Sequence, residues 1–107
     1  RNGNEQYAIY HELLNAIEAN MPLTILKKHG KDIKFTFEAL HVAIKFYDVK
    51  NLPELLEYLV VEKQCYFSNN EIYDVIVNLP YARLQIITDF GLDKLLAKKE
   101  TDTCLKN

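Results

Sequence analysis

The chain has no tryptophan, one methionine, two cysteines, three glycines and three prolines in 107 residues. With so few glycines and prolines, an all-β protein would lack the residues its tight turns need, so helix is the expected secondary structure. Cys65 and Cys104 lie far apart and in no paired motif. That spacing gives neither a zinc site nor a disulfide framework and points to a reducing, cytoplasmic compartment, with a single disulfide as the alternative. No apolar run is long enough to span a bilayer. No charged n-region followed by an apolar h-region marks a signal peptide. The isolated glycines form no phosphate-cradling loop. The net charge of −2 lacks the basic excess of a general nucleic-acid binder. The terminal "CLKN" puts Lys106 where a prenylation signal requires an aliphatic residue.

What is present is a core. Hydrophobic residues make up 49% of the chain and charged residues 26%, enough for one domain that folds without metal or disulfide staples. The chain opens on Arg1 rather than methionine, so we expect a piece of a longer protein. All three prolines fall in one phrase, Asn-Leu/Met-Pro, as Asn20-Met21-Pro22, Asn51-Leu52-Pro53 and Asn78-Leu79-Pro80. Proline is tolerated in the first turn of a helix and breaks one running through it. Asparagine is a favoured N-cap. Each triplet therefore reads as the stop of one helix and the start of the next, with Asn as the cap.

The flanking patterns agree. Ile9, Leu13, Ala16 and Ile17 share a helical face before the first triplet. Phe37, Leu40, Ile44 and Tyr47 do so before the second, with Thr36 as cap. Ser68 and Glu71 have capping-box spacing ahead of Ile72, Ile76 and Leu79. Leu52, Leu55, Leu56, Leu59 and Val60 form the clearest amphipathic stripe. Gly30 and Gly91 sit where helix C-termini take glycine, and Leu92, Leu95 and Leu96 offer a last short helix. The expected fold is all-α: three stacked helical hairpins, six to seven short helices, over residues 4–33, 35–66 and 68–97 of a domain spanning 1–99, then a polar tail at 100–107. A compact globular helical bundle is the alternative.

Residues 38–60, "EALHVAIKFYDVKNLPELLEYLV", resemble an ankyrin repeat. Leu40, His41 and Ala43 match its Leu-His-x-Ala opening, and Leu55, Leu56 and Leu59 its second helix. "HGKDI", His29 to Ile33, resembles the glycine-containing turn that ends such a repeat. Glu38-Ala39 replaces the usual Thr-Pro, and the glycine between the helices is missing. The resemblance implies a protein-binding module without catalysis. The Asn-, Lys-, Ile- and Tyr-rich composition resembles that of viral or bacterial host-directed effectors, which implies delivery into a host cell.

No catalytic or metal motif stands out. Glu38 and His41 have Glu-x-x-His spacing, but a di-metal bundle needs a second copy and further inward carboxylates. Cys65 has no base or orienting group placed by the sequence. We therefore expect no enzyme activity, no metal and no cofactor. Two surface features carry function instead. Asp48, Glu54, Glu57 and Glu62 form an acidic stripe, and Tyr47, Asp48, Lys50, Glu54, Glu57 and Tyr58 are the candidate partner-binding face, with Tyr58 as its exposed aromatic. Lys27, Lys28, Lys31 and Lys34 cluster around a turn and are the candidate contact for an anionic lipid headgroup, each lysine near such a surface contributing about 1 kcal/mol. The first feature implies a protein partner and the second a peripheral contact with an anionic membrane. Neither involves nucleic acid.

Overall fold

The computed structural model describes residues 3–97. Cys104 and the tail expected at 100–107 lie outside the described residues. Six α-helices follow one another: α1 (Gly3–Glu18), α2 (Leu23–His29), α3 (Phe37–Phe46), α4 (Leu52–Glu57), α5 (Asn69–Val77) and α6 (Tyr81–Phe90). Helix α4 runs on into a π-helical turn, Tyr58–Glu62, and α6 is followed by a 3₁₀ turn, Leu92–Leu95. There is no strand among the described residues, only an isolated parallel bridge between Phe67 and Leu96. The chain is thus an all-helical bundle. Its smallest extent, 21 Å, is about two helix diameters, as two helical layers require. Helix α1 packs on α2 and α3, α3 on α4, and α4 on α6.

The caps explain the boundaries. Thr36 Oγ1 accepts from the Glu38 amide at 3.4 Å. The capping box at α5 is complete: Ser68 Oγ accepts from Glu71 N at 3.2 Å, and Glu71 Oε1 accepts from Ser68 N at 2.8 Å. The triplets do mark the starts of α2, α4 and α6, but asparagine is not their common cap. Pro22 and Pro80 themselves occupy the N-cap positions of α2 and α6, with ψ of 144° and 149°. Their carbonyls accept the first helical bonds, from Ile25 and Leu26 and from Arg83 and Leu84. Asn51 stands at the N-cap of α4 without a side-chain cap bond; its Nδ2 donates to Asp48 Oδ2 at 3.1 Å instead. Asn78 ends α5. Asn20 takes a left-handed φ of 66°, a conformation asparagine tolerates better than most residues.

Gly30 also differs from expectation. Its φ is −94°, so no left-handed cap requires glycine there. Crowding does: a Cβ would meet Phe35 Cζ at 2.8 Å. Gly91, at φ 117°, does need glycine's freedom.

The stripes find their core. Leu52, Leu55, Leu56, Leu59 and Val60 are buried, as are Leu40, Ile44 and Tyr47 of the α3 face. In α1 the buried line is Tyr10, Leu13 and Ile17, with Ile9 and Ala16 only packed against it. Leu92, Leu95 and Leu96 form the 3₁₀ turn and the bridge rather than an α-helix. Polar bonds tie the first two hairpins. The Tyr47 hydroxyl donates to the Met21 carbonyl at 2.7 Å, and the Asp48 amide donates to Asn20 Oδ1 at 2.7 Å. Tyr10 and Thr36 share a hydroxyl bond of 2.8 Å. Lys63 Nζ donates to the carbonyls of Gly30, Lys31 and Ile33 at 2.5, 3.2 and 2.9 Å. Arg83 Nη1 donates to Ile44 O at 3.0 Å, linking α6 to the end of α3.

Candidate functional site

Helices α2 and α4 do not close on each other. Two open hollows lie between them and share Leu23 and Glu54. One, of about 420 Å³, runs over the first two triplet linkers and is lined by Asn20, Thr24, Tyr47, Asp48 and Asn51 as well. The other, of about 440 Å³, continues along α4 past Lys27, Glu57, Tyr58 and Glu62. Helical spacing sets the walls. Leu23 and Lys27 are one turn apart on α2, and Glu54 and Tyr58 one turn apart on α4.

Of the expected partner-binding residues, Tyr47, Asp48, Glu54, Glu57 and Tyr58 therefore come together, while Lys50 is exposed but lines neither hollow. The expected exposure of Tyr58 is corrected. Tyr47 is 2% and Tyr58 4% exposed, so they form the floor of the groove and not its projecting face. Tyr47 is held by its bond to Met21. Tyr58 packs edge-on against Phe35 at a centroid distance of 6.1 Å, and Phe35 against Tyr10 at 5.6 Å. Among the described residues no group bonds the Tyr58 hydroxyl. Since no fully buried side-chain oxygen or nitrogen lacks a partner among the described residues, that hydroxyl reaches solvent at the groove surface. Burial raises the hydroxyl pKa of both tyrosines, and nearby carboxylates add to it: Asp48 and Glu54 for Tyr47, Glu62 for Tyr58.

The walls are acidic and largely uncompensated. Lys27 Nζ lies 3.7 Å from Glu62 Oε2 and 5.5 Å from the centre of the Tyr58 ring. Among the described residues, no cation forms an ion pair with Asp48, Glu54 or Glu57. Lys28, Lys31 and Lys34 are exposed around the turn after α2, whose carbonyls Lys63 holds. Sequence reasoning missed Lys63, Leu23 and Asn20. Their partners lie about 30 residues away, and no spacing rule links them.

The other chemistry-bearing residues are placed elsewhere. His11 stacks edge-on with Tyr7 at 4.5 Å. His41 is half-buried; burial and Lys45 lower its pKa, and Asp74 opposes them. Burial pushes the Cys65 thiol up to about 12, against a lowering by Lys63, so it stays protonated near neutral pH. No group of three His, Cys, Asp or Glu side chains among the described residues is placed to hold a metal. No helix among them is long and apolar enough to cross a membrane. A larger hollow, of about 590 Å³, lies on the other side of α4 between the π-turn and α6, with Val61, Tyr66 and Phe90 in its walls. Compared with family models, curated proteins and solved structures, the chain matches none.

Proposed function

We propose that the chain is a non-enzymatic protein-interaction module that takes part of a partner protein into the α2–α4 groove. One observation carries the reading: two adjoining hollows are walled by exposed carboxylates, of which only Glu62 pairs with a cation among the described residues, over a floor of immobilised tyrosines. A rigid aromatic floor with a polar rim is the anatomy of interfaces. The ankyrin-like character proposed for residues 38–60 points the same way, and the free, buried Cys65 suits a reducing compartment. To test it, a photo-crosslinking phenylalanine analogue is placed at Glu54 or at the remote, exposed Asp93, and lysate from cells expressing the chain is irradiated. We expect a discrete adduct from position 54 and none from 93. Equal labelling from both would sink the groove reading.

A second reading, contact with an anionic headgroup, is favoured by the exposure of Lys28, Lys31 and Lys34 around one turn. It draws less on Lys27, which Glu62 and Tyr58 engage. Co-sedimentation with phosphatidylserine vesicles, lost when these lysines become glutamate, would support it.

A further inference from the structure

Tyr58 is 4% exposed, yet its hydroxyl has no partner among the described residues, and it lines the groove with Leu23 of α2 and Glu54, Glu57 and Glu62 of α4 and its π-turn. Its ring cannot turn away to find one, because Phe35 packs against it. Lys27 shows what this surface recognises. Its ammonium sits over the Tyr58 ring at 5.5 Å and beside Glu62 at 3.7 Å, which is cation–π contact combined with charge pairing. A single lysine leaves Glu54 and Glu57 without a counter-charge, and like charges held close together favour an incoming cation. A planar guanidinium stacks on an aromatic face and meets a carboxylate through two parallel N–H donors, a fork an ammonium does not have.

We infer that the α2–α4 groove receives an arginine from a basic segment of the partner protein, seated against Tyr58, Glu54 and Glu57, and that Lys27 occupies this seat in the free chain. The inference rests on the interaction-module reading above and adds the chemistry of the partner and a built-in competitor. Lys27 must leave the ring for arginine to enter, so it weakens every cationic ligand that takes this seat.

The test is fluorescence anisotropy of a fluorescein-labelled hexa-arginine peptide titrated with the whole chain. Replacing Glu54→Gln together with Glu57→Gln should weaken binding about 5- to 10-fold, and Tyr58→Phe about twofold, given the modest worth of exposed ion pairs and single hydrogen bonds. Lys27→Ala should tighten binding about threefold, the expected effect of removing one exposed competing contact. Controls carry the same charge change elsewhere: Asp74→Asn with Asp93→Asn, and Lys28→Ala, should leave affinity unchanged. The inference is overturned if Lys27→Ala fails to tighten binding, if the control variants shift affinity as much as the groove variants, or if the peptide does not bind. A peptide that does not bind, beside an intact crosslink from position 54, removes the arginine specificity and leaves the groove. Loss of both removes the groove as well.

Discussion

Lys63 is the residue on which the turn after α2 depends. Carbonyls in a turn outside a helix have no helical partner, and here one ammonium meets those of Gly30, Lys31 and Ile33 in the turn after α2 while lying 5.0 Å from the Phe35 ring centre. Bonds from a charged donor are the stronger kind. Lys63→Ala should therefore lower stability by about 1–3 kcal/mol, read as a lower urea midpoint, with Lys63→Met showing how much of the loss is charge and how much is stem packing. Cys65 gives a pH signature. Its folded thiol is raised to about 12 from 9.0, so above pH 9 the unfolded chain has released a proton that the folded chain keeps, and stability falls as pH rises toward 12. The raised hydroxyls of Tyr10, Tyr47 and Tyr58 act in the same direction at higher pH. In urea midpoints measured from pH 7 to about 10.5, a range spanning the ordinary thiol value, Cys65→Ala should flatten the alkaline fall. An unchanged slope would mean that the thiol does not contribute.

Among the elements, α5 depends most visibly on its cap. Ser68→Ala removes one half of the Ser68–Glu71 exchange and should cost about 1 kcal/mol, seen as a lower thermal midpoint. This box was legible in the sequence because both partners lie within four residues. Thr36, the leucine stripe of α4 and the helix starts at the three prolines were legible for the same reason. The asparagine caps were misread because Pro22 and Pro80 offer φ and ψ suited to an N-cap, and their carbonyls, not a side chain, start the helix. Tyr58 was placed outside because Glu54 and Glu57 flank it. Helix α4, however, packs on both α3 and α6, which widens its buried arc, and Phe35 reaches the ring from a loop 23 positions upstream. The acidic residues of the groove were visible in the sequence. The opposing wall of Leu23 and Lys27 was not, because the face α2 turns to α4 depends on tertiary packing.

For the molecule as a whole, the polar ties are uneven. The first two hairpins share the bonds Tyr47–Met21, Asp48–Asn20, Tyr10–Thr36 and Lys63 to the turn after α2. Helix α6 and the segment after it are joined to the rest by Arg83 to Ile44 and by the backbone bonds of Phe67 with Leu95 and Ala97. Helix α5 takes part in none of the main helix–helix packings and leaves Tyr73 and Val77 exposed. Few buried contacts mean local opening at low free energy. In native-state hydrogen exchange, the amides of α5 should open below the global unfolding free energy, while those of α3 and α4 follow global unfolding. Uniform protection across all six helices would contradict this.

The π-turn at Tyr58–Glu62 has a consequence for how this chain can change length. Such a turn is an α-helix that has admitted one surplus residue, marked here by the Lys63 amide reaching back to Tyr58 O at 3.1 Å. Val61 is 61% exposed, so its side chain is free to vary. Removing the residue altogether would rewind the turn as α-helix, with the Lys63 amide then meeting Tyr58 O four positions back instead of five, so Glu62 and Lys63 keep their places beside Lys27 and the three carbonyls. At this point of the chain a one-residue deletion is therefore absorbed, and homologues lacking the residue should run on as α-helix from Tyr58 to the counterpart of Lys63 with the same contacts.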